Sequence, residues 1–222
     1  MNEITNPKST AVGAVAVNPF LAYGEAQNRR AIVGRLLRFS KGDYLAGQDN
    51  EEVPIGTEFI ANMDELLAGW QRWQDNKPTD EVMGKISDGF QAPRRNELGD
   101  DDREQWELDS KGEPRDPWQF TNLLLLKGMD SLLYTFATSS RGGLNAIGDL
   151  CKVYGQAMAQ RPDEYPVIAL GGSAYDSKNR AFGRIKVPTF KIVSWASKTV
   201  FAENAEAIVK AEEPPKKFKA RI

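Results

Sequence analysis

The chain has 222 residues, room for one domain with appendages, and 41% of them are hydrophobic, enough for a core. Its 29 basic and 31 acidic residues leave a formal net charge of −2, so no global field recruits nucleic acid and any such binding needs a local cationic groove. With no histidine, histidine triads, general bases and metal ligands are excluded together, and one cysteine excludes an intrachain disulfide and a cysteine zinc site.

No apolar run approaches membrane-spanning length, and the first residues do not read as a secretory signal, so a reducing, cytoplasmic location is the expectation. Residues 1–30 read as a flexible arm. Residues 31–40 suit a first strand, Lys41-Gly42-Asp43 a turn, and residues 44–47 the return of a hairpin. The stretch 51–56, with Pro54 and Gly56, reads as a loop. Two short strands follow, over 57–62 and 66–74, joined by Met63-Asp64-Glu65. Asp75-Asn76-Lys77-Pro78 is a strong turn signal. Residues 88–116 form a charged insert with little apolar periodicity: a surface excursion, a lid, or a short helix over 102–108 pinned by Trp106.

Beyond the insert, strands over 118–126 and 131–138 flank a Lys127–Asp130 break and make a hairpin. The period then changes from two to between three and four, and Leu144, Ile147, Leu150, Cys151, Tyr154 and Met158 share one face of a helix over 142–159. Residues 165–170 read as a buried strand, 173–180 as a polar turn and 182–195 as a long strand with a bulge or sheet edge at Pro188. Residues 198–222 read as a tail, weakly helical over 202–210 and then disordered.

Without the insert, this order is strand, strand, strand, helix, strand, strand. It is the order of a mainly β (α+β), OB-like five-stranded barrel with one helix between strands 3 and 4. The single β-rich domain then spans 31–197.

Six segments carry a family resemblance: Asn18-Pro19-Phe20 with Tyr23-Gly24, Phe39-Ser40-Lys41-Gly42-Asp43, Gly69-Trp70-Gln71-Arg72-Trp73, Asp116-Pro117-Trp118-Gln119-Phe120-Thr121-Asn122, 134–143 and 183–188. Together they resemble an uncharacterised family of proteins encoded by bacterial phages and prophages, over most of the chain outside its last 25 or so residues. That family has no settled activity and supplies no catalytic residue. The resemblance implies a setting in a bacterial host cell, where phage proteins serve replication and recombination.

Four constellations bear on function. Trp70, Trp73, Trp118, Phe120, Tyr134 and Phe136 fall on strands near Arg72, Lys127 and Arg141, which is the composition of a surface that stacks unpaired bases and follows phosphates. Core packing competes for each ring, and about two or three of the six are expected at the surface. Ser139-Ser140-Arg141-Gly142-Gly143 suits a helix cap better than a phosphate loop, since it lacks that loop's lysine and spacing. Asp100-Asp101-Asp102 with Glu97 and Glu104 reads as a solvated loop, because neighbouring loop carboxylates rarely converge on one ion. Arg180, Arg184, Lys186 and Lys191, with Lys216, Lys217, Lys219 and Arg221 in the tail, form a basic stripe that would track a nucleic-acid backbone or guard a strand edge.

The expectation is a non-catalytic protein with no cofactor and no metal that binds single-stranded DNA. Its site would comprise Trp70, Arg72, Trp73, Phe120, Lys127, Tyr134, Phe136, Arg141, Arg184, Lys186 and Lys191. The alternative is an inhibitor or adaptor that engages a protein partner through the acidic loop 97–104. A carboxylate-metal nuclease ranks below both.

Overall fold

A computed structural model of the chain describes residues 32–110, 112–176 and 183–202. The arm expected over 1–30, Arg180, the helical stretch of the tail and its four cations lie outside the described residues. Among the described residues no helix is long and apolar enough to cross a membrane.

The first hairpin forms as its sequence predicts, from β1 (Arg35–Ser40) and β2 (Asp43–Ala46), with Lys41 and Gly42 taking positive φ in the turn. β3 (Glu51–Val53) then pairs with β2, in a stretch expected to be a loop; Pro54 and Gly56 end the strand rather than prevent it. The two strands expected between 57 and 74 are one, β4 (Glu58–Gln74). Its register against β6 shifts between Asn62 and Leu67, so Met63-Asp64-Glu65 belong to a bulge and not to a turn. Asp75 and Asn76, both at positive φ, make the two-residue turn into β5 (Lys77–Lys85), a strand that its polar composition conceals.

The second hairpin is β6 (Trp118–Gly128) with β7 (Leu133–Thr138). α1 (Arg141–Ala157) follows directly, and the Ser140 hydroxyl accepts from Gly143 N–H at 3.1 Å as its N-cap. Ile147, Leu150 and Tyr154, spaced three and four apart, bury the face that the sequence marks, and Tyr154 stacks on Trp195 at 6.3 Å. Met158 leaves that face at the helix end and is exposed. β8 (Glu164–Asp176) runs six residues past the expected strand, and β9 (Arg184–Ser197) pairs with it throughout.

The nine strands form one sheet in the order β3-β2-β1-β7-β6-β4-β8-β9, with β5 on β4. All pairs are antiparallel except β1 with β7. The sheet is strongly curled and open, a half-barrel, so the mainly β class holds while the closed five-stranded barrel does not. Two features defeat closure. β1, β2 and β3 extend the β7 edge, and β4 is long enough to hold β8 along one half and β5 along the other. With those strands counted, the helix lies between strands seven and eight rather than three and four.

Curling brings distant strands together. Tyr44 on β2 donates its hydroxyl to Gly171 O at 2.8 Å and Thr189 O at 3.3 Å, and Gly56 N–H donates to Leu170 O at 2.7 Å. Tyr44, Phe59, Leu124, Phe136, Ile147 and Ile168 fill the core, each worth about 1.5–3 kcal/mol of buried apolar surface. β9 is a sheet edge and Pro188 sits on it, as its missing N–H requires. The register slip on β8–β9 occurs at Val167/Ile168, away from Pro188.

Candidate nucleic-acid interface

The aromatic constellation is spent mainly on packing. Phe136 is fully buried between Tyr44 and Phe190, whose ring meets it edge-on at 5.2 Å. Tyr134 is buried against Phe59 at 5.1 Å, and the buried Trp118 donates its indole N–H to Asp100 at 2.9 Å. None of these three can meet a base without opening the core. Trp70, Trp73 and Phe120 are half-buried. Trp70 and Phe120 occupy each other in an edge-on pair at 5.3 Å, and Trp70 N–H is used by Pro93 O at 2.9 Å. Trp73 lines a small cavity of about 150 Å³ beneath the insert. None of the six rings is exposed, against the two or three expected. Tyr134 and Phe136 pack because β7 is central in the sheet and faces the core, whereas Trp70, Trp73, Trp118 and Phe120 are covered by the insert or by one another.

Two of the expected cations are also withdrawn. Lys127 is 8% exposed, with its ammonium donating to Val200 O at 2.6 Å, so it anchors the turn Lys198–Phe201 instead of meeting solvent. Arg72 holds Asp100 at 2.9 Å and also donates to Gln74 and Thr79.

The acidic loop is equally occupied. The Arg72 hydrogen bond, assisted by Trp118, holds the Asp100 carboxyl below the usual carboxylate range despite the opposing effect of burial. Arg95 binds Asp116 at 2.8 Å and Asp101 at 3.3 Å. Asp102 caps the turn Arg103–Gln105, and Trp106 N–H reaches Asp100 O at 2.7 Å. The insert is thus stitched to β4 and β6 by its own charges, and its three consecutive aspartates point to different partners. Of the three readings of the insert, the short helix over 102–108 is reduced to a single 3₁₀ turn.

The remaining four site residues behave differently. Arg141, Arg184, Lys186 and Lys191 are exposed and enter no ion pair among the described residues. Three stand on β9, whose outer half and the end of β8 leave the sheet as a two-stranded ribbon: β4 pairs with β8 only as far as Ala169. Arg184 and Lys186 are on one face, about 6.8 Å apart by strand rise. The Lys186 stem lies across Gly42, where any Cβ would strike it. Asp176 faces Arg184 across the ladder and is the one acid in 173–191, against five Lys and Arg.

The ribbon separates two grooves, as the alternation of side chains along a strand dictates. One, of about 400 Å³, takes Ala174, Arg184 and Lys186 with Phe39 and Ile55. The other, of about 450 Å³, takes Ser173, Tyr175 and Val187 with Arg141 and Asn145 from α1. The eleven expected residues therefore do not converge. Two cations lie on the ribbon, Lys191 stands at its root on β9 opposite Ala169, Arg141 stands beside it at the helix start, and the remaining seven belong to the core or the insert.

Tyr175, absent from the sequence-based site, is 52% exposed in the larger groove. Its signal was the alternation Ser173-Ala174-Tyr175-Asp176 beyond Gly171-Gly172, masked because paired glycines read as a strand end. No family model, curated protein or solved structure matches this chain, and the phage setting rests on the sequence segments alone.

Proposed function

We propose that this protein binds single-stranded DNA without catalysis, through phosphate contacts from the β8–β9 ribbon and the start of α1. One observation carries this reading: Arg141, Arg184, Lys186 and Lys191 are exposed cations without carboxylate partners among the described residues, three of them on the single strand β9. The segment 173–191 has five cations to one anion while the whole chain carries −2, so the attraction is local. The four cations stand around a narrow ribbon rather than across a flat face. A flexible single strand can follow that path, whereas a duplex is stiff over about 150 base pairs.

Fluorescence polarisation with labelled single-stranded and duplex oligonucleotides tests this. Four phosphate contacts at about −0.7 each give a log–log salt slope near −2.8, hence about a 50-fold loss of affinity between 50 and 200 mM salt. Replacing Arg184 and Lys186 by glutamine should flatten the slope by about 1.4. No binding at micromolar protein and low salt, or tighter binding of duplex, would remove the proposal.

A further inference from the structure

Granted the phosphate-binding function proposed above, on which this step rests, we infer that the groove between α1 and the ribbon is a receptacle for one unpaired base, with Tyr175 as its stacking platform. The core has taken Phe136, Tyr134 and Trp118, and Trp70 and Phe120 use each other. Tyr175 is the large aromatic left exposed, and among the described residues neither a ring contact nor a hydrogen bond engages its side chain. Its groove of about 450 Å³ falls within the range of small-ligand sites, about 300–1,000 Å³.

The lining divides by chemistry. Tyr175 and Val187 offer an apolar wall, Asn145 and Ser173 offer donors and acceptors to a base edge, and Arg141 stands where a flanking phosphate would lie. Asp149 also lines it, but its carboxylate is held by Lys152 at 2.9 Å. A paired base in a duplex hides both its edge and its faces, so this groove discriminates in favour of single strands, which phosphate contacts alone do not.

Three oligomers of equal length separate the two ideas: oligo-dT, oligo-rU and an abasic sugar-phosphate strand. Wild-type protein should bind oligo-dT about 5- to 150-fold tighter than the abasic strand, the size of one stacked base. Tyr175→Ala should lose that ratio while keeping its affinity for the abasic strand, and Tyr175→Phe should keep both. Unchanged abasic binding also shows that the alanine variant is folded. A preserved ratio with oligo-rU identifies the base, rather than the sugar, as what the groove holds. Equal binding of oligo-dT and abasic strand, or an unaltered ratio in Tyr175→Ala, overturns the groove while the phosphate reading survives. Full competition by micromolar thymidine monophosphate overturns it as well, by assigning the groove to a free nucleotide. Absence of binding to all three strands overturns both.

Discussion

Gly69 sits mid-strand in β4 at φ +151°, and a Cβ there would collide with the Val82 carbonyl and the Met83 backbone of β5. Backbone cannot swing aside as a side-chain end can, so Gly69→Ala should cost about 3 kcal/mol from strain and overpacking together. Gly56, at φ +92° with open space around it, is the control: alanine there carries the conformational penalty alone, about 1 kcal/mol. Urea unfolding of the two variants decides it, and equal losses would refute the close-approach argument. At this scale the sequence marked the ring residues and left their exposure open. Trp118, Phe120, Leu124 and Leu126 share a parity, and three of them proved buried with Phe120 half-buried. Thr121, Leu123 and Lys127 of the other parity are buried as well, so β6 is covered on both faces and alternation alone does not sort it. What alternation lacks is the neighbour: nothing local in Lys127 says that its ammonium will meet Val200 O.

Among the elements, those with a strong period were legible. α1 lies within two residues of its expected bounds, and β6 and β7 fall where their leucine and aromatic runs place them. β5 was not, because only Val82 and Met83 are large and apolar in it, and β4 supplies the hydrogen-bonding edge that holds it. The insert's path was illegible for a related reason, since long-range ion pairs fix it rather than periodicity. Those pairs make it pH-sensitive in a defined direction. Asp100 has a depressed folded pKa, so its stabilisation is complete above the unfolded value of about 3.9 and is lost as pH falls through the folded one. Acidification should therefore loosen the insert from Arg72 and Trp118. Asp100→Asn should reproduce the loosening at neutral pH, because asparagine tolerates the φ of +53° but carries no charge. Hydrogen exchange is the measurement: amides of 95–106 should exchange faster in the variant while β6 and β7 keep their protection. Uniform acceleration across the sheet would show instead that the insert and sheet unfold together.

The sheet as a whole is a curl held across its concave face, and Tyr44 is the residue that spans it. Strand order could not be read locally, because the parallel β1–β7 contact joins residues nearly a hundred positions apart and leaves no mark on either strand's own pattern. The closed barrel failed for that reason, whereas the β-rich class followed from alternation alone. Tyr44 carries both consequences of the curl: complete burial, and a hydroxyl committed to Gly171 O and Thr189 O at the base of the ribbon. Burial drives its pKa far above the ordinary tyrosine value, and the two carbonyl contacts offset this only in part. Tyr165 is raised as well, by burial and then by its hydrogen bond to Asp64. A raised folded pKa means that the folded state holds its proton where the unfolded chain releases it. The contribution is then intact below about pH 10, the unfolded value, and declines as pH climbs toward the folded one. Urea midpoints should be flat from pH 7 to 9 and fall above pH 10. Tyr44→Phe should lower stability at pH 7 by about 1–2 kcal/mol, since two carbonyls lose a donor, and should make the alkaline decline shallower. It should also shift the base of the ribbon, so that oligonucleotide affinity falls while the salt slope, which counts the four exposed cations, stays near its wild-type value. A slope that changes with Tyr44→Phe would mean that this joint sets which cations reach phosphate.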